Sequence, residues 1–425
     1  MRALLFQWVK TNRVILLNTS SLIGTTTVTS VIGFAYWWLA TRQFSPEAVG
    51  LASAAISAMT LLASASILGL GTLLIGELPR QQGKEMALIS AALILVGGVG
   101  GCTGIVFALV APFLSADFQL LRASMQAIAL FAVGVSLTAI TVMLDQAVIG
   151  LLQGELQFWR NVLASVIKLA ALFLAGLWLS HDIGMAIYAT WALGNILSLV
   201  ALAGLVVSKR GWSRKVYSPE WGLLKKLGSA ALQHHVLNQV LRVPSLVLPV
   251  LVTVLLSATM NAWFYVAFMI ANFAYSIPYA LTTVLYATNS AEPAILAPKV
   301  RLTLSLAIET SVLANCVLLF GTTQVLSLFG HSYAVQAAWS LRILGLATFP
   351  LIIKYHYIAV CRIQNRLAWA ILPVTTGCLI ELGAAVLGAH LSGLSGLSFG
   401  WVIALCVESA YMSPSVYKAV QYINR

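Results

Sequence analysis

Long apolar runs, broken by short clusters of charge, glycine or proline, recur along the whole chain. A hydrocarbon layer of about 30 Å takes about 20 residues of helix, and twelve runs meet that length. They cover 14–40, 48–75, 86–114, 121–152, 161–180, 185–207, 228–256, 260–288, 302–329, 336–360, 367–389 and 396–417. The pattern predicts an all-α integral membrane protein of about twelve transmembrane helices. The longest polar stretch, Ser208 to Lys226, carries Lys209, Arg210, Arg214, Lys215, Lys225 and Lys226 between the sixth and seventh runs. It divides the chain into an N-terminal lobe (1–207), a basic linker (208–227) and a C-terminal lobe (228–425). Sliding the sequence by 212 residues lays Phe44-Ser45 over Leu256-Ser257, each a short turn after the first helix of its half. Two such halves in the same orientation are a parallel duplication, an arrangement in which transporters place substrate between the halves.

Composition removes the soluble alternative. Of 425 residues 60% are hydrophobic and 8% charged, whereas a soluble domain carries about 25% charged residues. The net charge of +12 comes from 24 Lys+Arg against 12 Asp+Glu, and in a membrane protein basic residues collect in cytoplasmic loops. With the N-terminus placed in the cytoplasm, eighteen basic residues fall on that side, Arg160 among them. Only Arg42 and Arg122 fall outside. Both termini are therefore expected in the cytoplasm. The first run is too long for a cleavable signal and is expected to remain as a span. Cys102, Cys316, Cys361, Cys378 and Cys406 lack CxxC spacing and read as core fillers.

No HExxH, paired CxxC, GxSxG or Walker motif occurs, so neither an enzyme nor a bound cofactor or metal is expected. His234 and His235 are adjacent and diverge by about 100° on a helix, which is wrong for a shared metal. The glycines at 97, 98, 100, 101 and 104 supply GxxxG spacings at 97/101 and 100/104, a signal for close helix packing.

Eight ionisable residues lie inside predicted spans: Asp145, Lys168, Arg242, Glu309, Arg342, Lys354, Glu381 and Glu408. Each costs about 2.5 to 3.5 kcal/mol at a helix centre, so they should face protein or water. Taking the turn between the fourth and fifth helices near residue 156 puts Asp145 and Lys168 at equal depth. Glu309 and Lys354 likewise flank the turn near His331. A structural ion pair is the first reading of each couple, with proton relay or substrate contact as the other. Arg242 lies mid-helix, and His235, Asn238 and Arg242 share one polar face by their spacing. That face reads as cavity lining, where a guanidinium fork suits phosphate oxygens. Neutralisation of Glu381 or Glu408 by Arg242 is the competing reading. Arg342 is expected to snorkel. Tyr36, Trp37 and Trp38, and then Trp263, Phe264, Tyr265 and Phe268, read as interfacial belts. The hydroxyl-rich first helix (Asn18 to Ser21, Thr25 to Thr27, Thr29, Ser30) serves either packing or a polar wall.

The stretch from Ala40 through Phe44-Ser45-Pro46-Glu47 and Val49-Gly50 to Ala55 resembles the first two helices of polysaccharide and O-antigen flippases. Ile67 to Gly71 and Leu78-Pro79-Arg80 continue the likeness. These flippases belong to the multidrug, oligosaccharidyl-lipid and polysaccharide exporter superfamily. Tyr265 to Ala271 and Ile277-Pro278 with Ala280-Leu281 resemble the family's eighth helix. The resemblance implies two six-helix lobes forming a V around a central cavity that opens alternately to either side. It implies an undecaprenyl-diphosphate-linked oligosaccharide as substrate in the bacterial inner membrane, serving O-antigen or lipopolysaccharide synthesis. A polymerase and a chain-length regulator are the implied protein partners, with membrane lipids around them and no nucleic acid.

A cationic site for the diphosphate is implied, with Arg242 the best match and Asn238, His235, Lys354 and Lys168 beside it. Asp145, Glu309, Glu381 and Glu408 are the ion-coupling candidates. Peptidoglycan-precursor relatives carry arginines in the first two helices, where this chain has Asn18 and threonines, and that departure lowers a lipid II reading. The rivals are a cation-coupled multidrug or metabolite antiporter of the same superfamily, using acidic groups such as Asp145 and Glu381, and a non-transporting scaffold or assembly enzyme.

Overall fold

The structure, a computed structural model, describes residues 13–78, 83–151, 153–179, 184–210, 218–289, 296–364 and 366–421. Within these, the side chains at 13–23, 72, 76–77, 207, 209–210, 223–235, 238, 287–289, 296 and 367–368 lie outside the description. Among the described residues every regular element is helical. In chain order they are α1 Arg13–Gln43, α2 Pro46–Ser66, α3 Leu70–Glu77, α4 Glu85–Leu114, α5 Gln119–Arg122, α6 Met125–Gly150, α7 Gly154–Trp178 and α8 Gly184–Arg210. There follow α9 Trp221–Leu255, α10 Ala258–Asn289, α11 Leu296–Ser327, α12 His331–Gln336, α13 Ala338–Leu346, α14 Thr348–Ile363 and α15 Leu367–Gln421. Nine stretches among the described residues are long and apolar enough to cross a membrane. Each run predicted from the sequence falls on helix, and the protein is a multi-pass membrane protein.

Local chemistry sets the boundaries. Ser45 accepts the Ala48 N–H at 3.3 Å and Pro46 follows at the first helical position, so α2 starts there. The second predicted run is broken where Leu68 and Gly69 take φ of 52° and 78°. Only glycine tolerates such a conformation freely, and α3 starts anew behind it. In α15 the backbone leaves the helix at Ser392 and Gly393 (φ 58°), separating two arms that match the eleventh and twelfth runs. Gly388 meets Gly396, and Gly400 meets the Ala384 carbonyl, leaving no space for a Cβ. The arms run antiparallel as a tight hairpin.

The chain forms two compact units, Met1–Gln239 and Val240–Arg425, the division falling inside α9. In the first unit α4 packs on α6 through Gly97, Gly100 and Gly104. A Cβ on Gly104 would lie 2.8 Å from the Ala132 Cα, and Ser136 Oγ donates to the Gly97 carbonyl at 2.8 Å. The 100/104 spacing is used as expected, but Gly101 faces open space and 97/101 is not. The exposed face of α4 carries Ile94, Ile105, Val106, Leu109, Val110, Phe113 and Leu114 and no hydroxyl, amide or charge. A lipid-facing surface has that composition.

Several aromatics expected as belts belong to the interior. Tyr36 and Trp37 are buried, and only Trp38 is exposed. The Tyr36 hydroxyl donates to the Ile187 carbonyl at 3.0 Å and lies 2.7 Å from Thr190 Oγ, which is what a buried phenol requires. Phe264 and Phe268 are buried and stack on each other at 5.4 Å. Cys361 and Cys378 fill core, whereas Cys102, Cys316 and Cys406 are exposed.

Candidate functional site

The second unit buries a closed charge cluster. α14 carries Lys354, and the two arms of α15 carry Glu381 and Glu408. The Lys354 ammonium donates to Glu381 Oε1 at 2.6 Å and to Glu408 Oε2 at 2.9 Å. All three side chains are almost wholly buried, at 5%, 2% and 3% exposure. Trp401 Nε1–H donates to Glu381 Oε2 at 2.7 Å, so both Glu381 oxygens are held. Among the described residues Glu408 Oε1 has no such donor, and it lies against Gly377, where a methyl group would overlap it. Charge-assisted bonds of this length rank among the stronger polar contacts in proteins. The hairpin at Ser392-Gly393 is what brings residues 381 and 408 to one amine.

The sequence paired Lys354 with Glu309, and the structure corrects this. Glu309 is exposed and accepts from Ser305 of its own helix at 2.9 Å. It also corrects the counter-ion of Glu381 and Glu408, which is Lys354 and not Arg242.

The first unit has its own buried pair. Arg160 reaches Asp145 through two donors, Nε to Oδ1 at 3.0 Å and Nη2 to Oδ2 at 2.7 Å. Asn161 Nδ2 adds a third bond to Oδ2 at 3.0 Å. The fork matches a carboxylate bidentately. Arg160 is buried at 6% exposure, so it is no cytoplasmic loop marker. The expected Asp145–Lys168 pair is not formed. The Lys168 ammonium sits over the Trp191 ring, 3.9 Å from its centroid, and its stem lies on Gly194 of α8. A cation on an indole face is held by the ring quadrupole. Arg342 lies over the Trp339 ring, 5.3 Å from its centroid.

Arg242, on α9, is exposed. Among the described residues it makes no ion pair; its carbonyl accepts from Ser245 Oγ at 2.9 Å. His235 and Asn238 lie on the same helix, but their side chains fall outside the described residues. The sequence reading missed Arg160, Asn161, Trp191 and Trp401 as partners of the buried charges. A signal existed for Arg160, which stands nearly as far after the glycines at 150 and 154 as Asp145 stands before them, to within one residue.

These helices and their order are shared with solved transporters. The chain aligns over 95% of its length, and 99% of the other's, with an inward-facing multidrug resistance MATE-family transporter of the MOP superfamily, at TM-score 0.71 and 17% identity. Lipid II flippase MurJ in an inward closed conformation aligns at TM-score 0.69 and 14% identity, covering 96% of this chain and 90% of MurJ. A MOP-superfamily transporter from Pyrococcus furiosus gives 0.59 and 15%, with coverage of 97% and 96%. The protein therefore has the fold of the MOP-superfamily membrane transporters. Residues 15–288 match the family described as polysaccharide biosynthesis protein, and the chain belongs to that family. No curated protein sequence matches it.

Proposed function

We propose that the protein is a flippase that carries an undecaprenyl-diphosphate-linked oligosaccharide across the bacterial inner membrane by alternating access, for O-antigen-type surface polysaccharide. The observation that carries this reading is family membership, from the match over residues 15–288. The disposition of the cations supports it. Lys354 and Arg160 are held by buried carboxylates, Lys168 and Arg342 rest on Trp191 and Trp339, and Arg242 is exposed on α9 with no ion pair among the described residues. A guanidinium without a carboxylate partner suits a diphosphate, and His235 and Asn238 stand on its face by spacing. Both termini are assigned to the cytoplasm, and a polymerase and chain-length regulator take up the product.

An antiporter driven through an acid would need a carboxylate free to exchange cations. Asp145, Glu381 and Glu408 each have a basic partner within 3 Å, so among the ion-coupling candidates Glu309 is the one on an open face. The test is Arg242→Ala as sole copy. Surface polysaccharide is expected to disappear while the protein's membrane abundance is unchanged and lipid-linked oligosaccharide accumulates. Normal polysaccharide would sink the diphosphate assignment, and an unaltered surface in a strain lacking the protein would sink the flippase reading.

A further inference from the structure

Helix α10 presents a surface unlike that of α4. Asn272, Ser276, Tyr279, Thr283 and Tyr286 follow one another at spacings of four and three, so they lie along one face. Ser276, Tyr279, Thr283 and Tyr286 are exposed and Asn272 is half-buried. The stripe runs for about 21 Å along the axis, inside the membrane-length stretch Ala258–Tyr286. Against lipid each polar group must find its partner within the protein, and exposed phenol hydroxyls without such a partner are out of place there.

The hydrogen bonding is directional. Ser276 Oγ donates to the Phe273 carbonyl at 2.6 Å, Thr283 Oγ to the Tyr279 carbonyl at 2.8 Å, and Asn272 Nδ2 to the Phe268 carbonyl at 2.8 Å. The hydroxyl donors of Ser276 and Thr283 are committed to the helix, so they turn acceptor oxygen outward, while Asn272 keeps one N–H and its carbonyl oxygen beyond the bond to Phe268. The phenol hydroxyls of Tyr279 and Tyr286 have no partner among the described residues, so each offers both a donor and an acceptor. Tyr279 is 56% exposed and is held edge-on by Tyr355 at 5.5 Å, and Tyr286 lies under the Arg362 guanidinium at 5.9 Å. The two phenol rings stand about 10 Å apart along the helix, a separation that spans two linked sugar rings. Aromatic rings interleaved with hydroxyl and amide groups match a sugar chain, which is apolar on its ring faces and hydroxylated at its edges.

We infer that the α10 stripe is the track that engages the oligosaccharide part of the substrate, with Tyr279 and Tyr286 stacking on sugar rings and Asn272, Ser276 and Thr283 accepting from sugar hydroxyls. This rests on the flippase reading above and assigns the sugar to a different face from the diphosphate. The probes are the lipid-linked oligosaccharide extracted from the cells in which the protein acts, and undecaprenyl diphosphate without sugar. Their affinities are measured on the purified full-length protein in detergent by native mass spectrometry. The double variant Tyr279→Ala/Tyr286→Ala is expected to bind the oligosaccharide lipid about tenfold more weakly than wild type and the sugar-free lipid as wild type does. Tyr279→Phe, which keeps the ring, retains most of that affinity. Equal weakening of both probes, as misfolding or a plain structural role would give, or weakening of neither, as an interfacial belt would give, overturns the inference and leaves the flippase standing. Wild-type protein that binds neither probe overturns the flippase reading and the inference with it.

Discussion

Replacing Lys354 by methionine keeps the stem and deletes the one cation that two buried carboxylates share. The oxygens of Glu381 and Glu408 reach its nitrogen from 2.6 and 2.9 Å. They therefore lie within about 5.5 Å of each other, and two unit charges at that distance repel by about 3 kcal/mol at an effective dielectric of about 20. Removing one partner of a buried pair costs about 3 to 5 kcal/mol in general, because the survivor stays in the interior uncompensated. Lys354→Met is thus expected to lose about 3 to 5 kcal/mol, read as equilibrium unfolding of the purified protein in mixed micelles. Lys354→Met/Glu381→Gln/Glu408→Gln removes the repulsion as well and should regain at least half of the loss. A cost below about 1 kcal/mol for the single variant, the value of an exposed pair, would refute the reasoning.

Further outcomes follow from the same structure. Asp145→Asn leaves the Arg160 guanidinium buried without its carboxylate and should cost about 3 to 5 kcal/mol by the same assay, whereas Glu309→Gln, on an open face, should change stability by less than about 0.5 kcal/mol. Gly104→Val drives a branched side chain into the Ala132 backbone and should lower stability by about 1 to 3 kcal/mol or more, while Gly101→Ala, facing open space, should be neutral or slightly stabilising through helix propensity. Gly377→Ala pushes on the Glu408 carboxylate and should weaken the second unit in thermal unfolding by about 1 to 3 kcal/mol. Arg242→Ala should leave the unfolding midpoint in place, because the residue is exposed and makes no ion pair among the described residues, so any loss of polysaccharide reports on function.

Helix placement was readable because length and hydropathy decide it. The break at Leu68-Gly69 and the tight turn at Ser392-Gly393 were not, since backbone conformation there depends on what packs against the chain. The failure of the Asp145–Lys168 pairing was one of depth. With the turn taken near 156 the mirror of Asp145 is near 168, but α6 ends at Gly150 and α7 begins at Gly154, which moves the centre to residue 152 and the mirror to within one position of Arg160. The glycines that end and restart the helices carried that information. The Glu309–Lys354 pairing failed differently. Rotation decided it, for Glu309 points outward from α11 while Lys354 faces the α15 hairpin, and rotation is set by neighbouring helices. That Glu381 or Glu408 needs a basic partner in the interior was legible. The identity of that counter-ion was not.

The two buried charge clusters also differ in the order in which a ribosome would deliver them. Arg160 follows Asp145 by 15 residues across one turn, so the pair emerges together and can enter the bilayer as a helical hairpin with its charges already matched. Lys354 precedes Glu381 by 27 residues and Glu408 by 54. When α14 reaches the membrane, neither acid has yet emerged beside it. The helix with the lysine must then be retained beside the insertion machinery, or held at the interface by its snorkelling amine, until the last hairpin arrives to neutralise it. Integration of the second unit is on this account a single late event that waits for the C-terminal helices, and a chain truncated before residue 408 would leave its ammonium only half compensated in the membrane.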